Sequence, residues 1–443
     1  MAIAAATEGP HPPSRAVWKT ADGSTIRLSG VNLGTLPHYY ISVQQQSMPM
    51  KIISPRIVLI ALCVVVNACV SSALAAVIPI FLVSNLHVSY FRASLLMVVG
   101  TLLSAAATYS LGRIGDAARA RYPIAIASAI CGLAGAMILA FATSYVAFLL
   151  VFASLFAVAG SLFSQLMALA ILHARSSSAI IRAVASGGWV IGPPLGGMVA
   201  TWRSPAVLFL TIAAAYALLA MIIGVMALRL PSPAANTSES KSALSASNRR
   251  PASIVLTTCA LASLHFLLSV CALGIPWRIV QIGGSEYHVG LAFAIAAAVE
   301  IPLIACSNII VSRAGQATML VVSSTLLLVY FAAASLIDSV PAMVSLSVIN
   351  GVVTGIMMGL SLIVLQERLP DRPAHASAIY SNTIRLSYVA ALLTAGGIAQ
   401  QISVVAIFQA AGALALCLSL YLIPWQPLGR PVLRWRGSRL NAS

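Results

Sequence analysis

Of the nine Asp and Glu residues in this 443-residue chain, eight fall near the N-terminus, in loops or at helix ends: Glu8, Asp22, Asp116, Glu239, Glu286, Asp338, Glu367 and Asp371. Only Glu300 lies deep inside an apolar run. A bare carboxylate in hydrocarbon costs several kcal/mol, so a residue placed there either pairs with a cation or takes up a proton. Two arginines lie equally deep, Arg182 and Arg385, 203 positions apart (385 less 182), while the loop residues Arg113 and Arg313 are 200 apart. This near-common spacing points to an internal repeat and gives Glu300 two possible partners. One reading makes Glu300 a proton carrier that alternates between protonation and an ion pair. The other makes it half of a static pair that only holds two parts of the chain together.

Side chains that could recognise a polyhydroxy ligand cluster near the same arginines. Asn382 and Arg385, three apart, share a helix face, and Arg182, Ser186 and Trp189 form a stripe at four- and seven-residue spacing. Donors and acceptors beside an aromatic surface suit such a ligand. Asn67, Gln165, His265, Asn350 and Tyr380 suit ordinary hydrogen bonds between helices instead. The seven cysteines sit singly in apolar runs, with no CxxC and no His at zinc-ligand spacing, and read as small packing residues. No metal or cofactor is expected.

The elements that must hold these residues follow from composition. With 60% hydrophobic and 8% charged residues, the chain is no soluble enzyme. The net charge of +16 comes from basic residues spread singly between apolar runs, which excludes a nucleic-acid surface. Twelve runs are long enough for membrane-spanning helices: 57–83, 92–112, 122–142, 145–172, 179–201, 205–228, 253–275, 288–311, 317–337, 342–365, 375–399 and 403–423. Glu300 falls about 18 Å into the eighth, just past the bilayer centre. The chain therefore reads as an all-α membrane protein of two six-helix halves, 51–230 and 253–425, joined by a Ser-, Ala- and Pro-rich cytoplasmic linker at 231–252. A basic cytoplasmic tail occupies 426–443. Seventeen Lys and Arg on the linker side against three on the other (Arg92, Arg203 and Arg278) put both termini in the cytoplasm. Residues 1–50 lack a signal-peptide core and read as an unstructured cytoplasmic tail. The alternative is translation from Met48 or Met50, with Lys51 and Arg56 as the basic flank of the first helix.

Two motifs sharpen this layout. The loop after the second helix runs Gly112-Arg113-Ile114-Gly115-Asp116-Ala117-Ala118-Arg119-Ala120-Arg121. Asp116 there can face a helix N-terminus while Arg113 and Arg121 pair with carboxylates, making a latch that opens with the cytoplasmic side; a solvated turn is the plainer reading. In the fifth helix, Gly188, Gly192, Pro193, Gly196 and Gly197 form a GxxxGPxxGG pattern. Glycines four apart let helices approach closely, and the proline bends the backbone.

Two halves with these motifs resemble the major facilitator superfamily, in which the glycine pattern is associated with exporters. Arg182 followed by Trp189-Val190-Ile191-Gly192-Pro193-Pro194-Leu195, Glu300-Ile301-Pro302, and Tyr380-Ser381-Asn382-Thr383 with Arg385 resemble the sugar efflux transporter family in particular. Ala117 and Arg119 depart from the superfamily's loop pattern, and the first fifty residues lie outside the family pattern. The resemblance implies a multi-pass bacterial inner-membrane exporter of mono- or disaccharides and related glycosides. It would be driven by proton antiport through Glu300, bind sugar at Arg182, Trp189, Asn382 and Arg385, and work as a monomer without nucleic acid. A multidrug antiporter of the same superfamily is the nearest alternative, and a transporter-like membrane sensor the alternative of another class.

Overall fold

The structure is a computed structural model that describes residues 15–19, 25–29, 55–117, 120–173, 178–229, 251–369 and 373–423. Contacts divide the chain into two units, 1–52 and 53–443. In the first unit, β1 (Arg15–Lys19) and β2 (Thr25–Ser29) pair antiparallel with Trp18 opposite Ile26. An unstructured tail was the expectation for this stretch, so its ten described residues depart from it. Val17, Trp18, Thr25 and Ile26 are strong strand formers.

The described elements of the second unit are all helices. Its helices are α1 (Pro55–Ser84), α2 (Tyr90–Ala117), α3 (Arg121–Phe141), α4 (Tyr145–Ala153), α5 (Leu155–Ala159), α6 (Leu162–His173), α7 (Ser178–Trp202) and α8 (Pro205–Arg229). They continue with α9 (Pro251–Gln281), α10 (Glu286–Ala305), α11 (Ser307–Ala314), α12 (Gln316–Leu336), α13 (Val340–Arg368), α14 (Pro373–Gln401) and α15 (Val404–Leu422). Ten segments of the described residues are long and apolar enough to cross a membrane. The protein is thus a multi-pass membrane protein. α7 and α14 are not among the ten, and they are the helices that carry Arg182 and Arg385.

Two of the runs expected as single helices are broken. The fourth splits at Ser154 and again at Gly160–Ser161, where the serine hydroxyls bond back to Leu150 O (2.6 Å) and Val158 O (2.8 Å) and compete with the helical ladder. The eighth splits at Cys306, four residues after Pro302, which has no N–H to give the preceding turn. Short connections at one end of the bundle open on serine caps. Ser144 accepts from Ala147 N, Ser204 from Val207 N and Ser403 from Ala406 N, at 3.1–3.3 Å. Ser285 and His288 form a capping box at the start of α10.

Helix packing repeats along the chain. α1 packs on α7 as α9 packs on α14, and α3 on α8 as α12 on α15. α7 packs on α10 as α14 packs on α2. The helices α1–α8 and α9–α15 therefore form two similar sets, and the last pair of contacts joins one set to the other. Each set has its own aromatic core: Phe81 with Phe148 and Phe209 in the first, Phe331 with Tyr330 and Phe408 in the second.

Candidate functional site

The two sets are fastened together at the end where α1, α7, α9 and α14 finish. The indole N–H of Trp277 on α9 donates to Pro79 O on α1 at 3.0 Å, and its ring lies edge-on to Tyr90 at 4.8 Å. Across the other seam, Thr201 Oγ1 donates to Glu286 Oε2 and accepts from Tyr287 N, both at 3.1 Å, while Trp202 stacks on Tyr287. Beside Trp277, the buried Arg278 donates to Ile337 O and Asp338 Oδ1, each at 2.7 Å, and so anchors α9 to the connection between α12 and α13.

The glycine pattern sits at the centre of this junction. A Cβ at Gly188 would lie 2.5 Å from Ala68 Cβ, one at Gly196 2.5 Å from Ala73 Cβ, and one at Gly192 2.6 Å from Cys69 Cα. These three glycines let α7 lie directly on α1, where Ser72 Oγ donates to Gly188 O at 3.3 Å. Gly197 turns the other way, onto the α10 backbone at Glu286 and Tyr287, and Pro193 meets Gly290. α7 is thus held between α1 of its own set and α10 of the other.

Behind the fastened end lies a cavity of about 460 Å³. Its walls come from α1, α2, α4 to α6 and α8, and Arg385 enters from α14 of the other set. Thr101, Ser104 and Thr108 present hydroxyls along one face of α2. Opposite them, Phe152 stacks on Phe156 at 5.1 Å, and Phe156 meets the ring of Tyr216 edge-on at 6.3 Å. Ile78, next to the Pro79 carbonyl that Trp277 grips, also lines the cavity, so the fastening bounds the cavity on that side.

The expected site residues distribute as follows. Arg385 lines the cavity, and Asn382 is exposed one turn before it on α14. Gly396 packs against Ser94, and following that antiparallel contact back along α14 brings Arg385 level with Ser104 and Ala105. Trp189 is 42% exposed and lies in the same helical row as Pro193 and Gly197, which face α10. Glu300 is half-buried on α10, with its backbone against Gly355 of α13, and makes no ion pair or hydrogen bond with a described residue. Its expected pair with Arg385 is therefore not formed in this conformation. The register of Gly197 on Glu286 and Pro193 on Gly290, continued along α7 and α10, brings Glu300 level with positions 182 and 183. The side chains of Arg182 and Asp116 lie outside the described residues. Arg113 is exposed, with its guanidinium 5.8 Å from the Tyr109 ring centre, and Arg121 is half-buried beside Gly115 and Gln165.

Sequence reasoning passed over the α2 hydroxyls, the Phe152–Phe156–Tyr216 group and the Trp277–Pro79 contact. The first had a legible signal, since Thr101, Ser104 and Thr108 recur at three- and four-residue spacing in an otherwise apolar run.

The family model of the Major Facilitator Superfamily matches residues 60–280. The chain is 26% identical over 342 residues to Sugar efflux transporter A of Escherichia coli, covering 74% of this chain and 85% of that one. It is 24% identical over 356 residues to Sugar efflux transporter A of Dickeya chrysanthemi, covering 77% of this chain and 89% of the relative. Among solved structures, the nucleoside transporter NupG superposes with a TM-score of 0.69 at 11% identity, over 84% of this chain and 98% of that one, which speaks for the fold alone. With paired helix sets, a glycine-lined junction between them and a cavity of the first set that Arg385 of the second enters, the chain belongs to the major facilitator superfamily of membrane transporters and is similar to the sugar efflux transporters within it.

Proposed function

We propose that this protein exports mono- or disaccharides or related glycosides across the bacterial inner membrane by alternating access, with proton antiport as the driving force. α7 and α14 complete twelve spans in two six-helix halves, 51–230 and 253–425, with the linker and both termini in the cytoplasm, as the excess of basic residues on that side requires. In this arrangement the fastened end is periplasmic, and the conformation is the one that takes up cargo from the cytoplasm.

The observation that carries the reading is the cavity. It is bounded by a closable junction between the halves, offers hydroxyls facing aromatic rings, and receives a cation from the opposite half. Sugars need that combination of polar edge contacts and ring faces for their C–H groups. Their release needs the Trp277 and Thr201 contacts to part while the cytoplasmic side closes, where the Asp116 loop acts as the latch. Glu300, the deep carboxylate level with Arg182, is the proton carrier.

Met97 and the four rings of Phe152, Phe156, Phe163 and Tyr216 in the same cavity favour a second reading, export of apolar cationic drugs. The two separate in proteoliposomes loaded with unlabelled glucose or lactose. The sugar reading expects counterflow of the labelled sugar and none of a cationic dye; dye exchange without sugar exchange would overturn it.

A further inference from the structure

Arg385 is the one charged side chain among the described residues that line the cavity. It makes no ion pair or hydrogen bond with any described residue. Two of the hydroxyls lining the cavity have spent their protons: Thr101 Oγ1 donates to Met97 O and Ser164 Oγ to Ser161 O, each at 2.7 Å. What they turn to the cavity is lone pairs, which suits the O–H donors of a sugar. Arg385 is the opposite, a fork of donors that can accept nothing. Arg385 is exposed in this conformation, and no Asp or Glu is among the described residues lining this cavity to neutralise its charge. Glu300, on α10, is not part of the lining and does not supply that charge in this conformation.

Building on the sugar-export reading, we propose that the preferred cargo is a sugar bearing a carboxylate, such as a uronate or aldonate, whose carboxylate is held by the Arg385 fork while its hydroxyls donate to Thr101 and Ser164. The Phe152, Phe156 and Tyr216 rings take the face of the sugar. One guanidinium matches one negative charge, and no second cation is present among the described lining residues to balance a phosphate dianion.

The test is binding calorimetry on the full chain in nanodiscs, comparing glucuronate, its methyl ester, glucose and glucose 6-phosphate at one pH and ionic strength. Glucuronate is expected to bind at least about tenfold more tightly than glucose, with the ester falling to the level of glucose. Arg385→Gln should remove the difference in affinity between glucuronate and its methyl ester, and Arg385→Lys should restore part of it. Equal or tighter binding of glucose by the wild-type chain would overturn the proposal and leave sugar export standing. Tighter binding of the phosphate would overturn the carboxylate assignment. Binding of none of the four would overturn this proposal and the sugar reading together. The wild-type comparison decides the matter even where Arg385→Gln does not fold.

Discussion

Trp277→Phe should shift the protein away from its fastened conformation. The substitution removes the indole N–H that reaches Pro79 O at 3.0 Å and keeps a ring against Tyr90. A neutral hydrogen bond contributes about 1 kcal/mol net, and leaving the buried carbonyl unsatisfied moves the loss toward about 2 kcal/mol. The bond joins α9 to α1 and exists only while the two sets meet at this end, so the whole loss falls on one conformation. A shift of one to two kcal/mol changes the fastened-to-open ratio about five- to thirtyfold. Double electron–electron resonance between spin labels at Asn85 and Gln401, exposed positions at the fastened ends of opposite sets, reads that ratio directly. Ser387→Ala is the control: its hydroxyl donates to Ala262 O at 2.9 Å inside one set, so its loss should lower melting temperature without altering the distance distribution. An unchanged distribution in Trp277→Phe, or an equal shift in Ser387→Ala, would refute the reasoning.

Gly192→Leu should abolish transport, because even a Cβ there lies 2.6 Å from Cys69 Cα and the larger side chain forces α7 off α1, whereas Gly187→Leu, with nothing within 4 Å, should retain transport and folded yield. Transport assays and size-exclusion profiles of the two variants check this, and normal transport by Gly192→Leu would show the pattern to be incidental. Asp116→Asn should slow cycling several-fold while leaving sugar affinity within about twofold, since the latch lies away from the cavity. Equilibrium binding and transport measured on one preparation separate the two, and lost binding with normal cycling would contradict the latch.

What the sequence disclosed and what it hid divide along physical lines. Apolar runs reveal helices because hydrocarbon admits little else, and a carboxylate as deep as Glu300 stands out for the same reason. The glycines of α7 were legible because close packing leaves a local signature, one that the structure gives a partner on each side: Ala68, Cys69 and Ala73 on α1, Glu286 and Tyr287 on α10. The breaks at Ser154 and Cys306 were not, because they depend on hydroxyl back-bonding and on a proline four residues upstream, neither of which alters the apolar count. The cavity stayed hidden because it exists only once α14 lies on α2, bringing Arg385 among residues nearly three hundred positions earlier in the chain. Trp277 read as one more apolar residue, since its indole N–H gains meaning only opposite Pro79, 198 positions away.

The most direct test of the whole account is uphill transport in everted membrane vesicles energised to acidify their interior, with labelled sugar and a cationic dye offered side by side. The account predicts that the wild-type chain concentrates the sugar and not the dye, that a protonophore abolishes the accumulation, and that Glu300→Gln abolishes it too while still exchanging sugar in counterflow. Sugar accumulation that survives the protonophore or Glu300→Gln would contradict proton coupling through Glu300, and accumulation of dye alone would contradict sugar export.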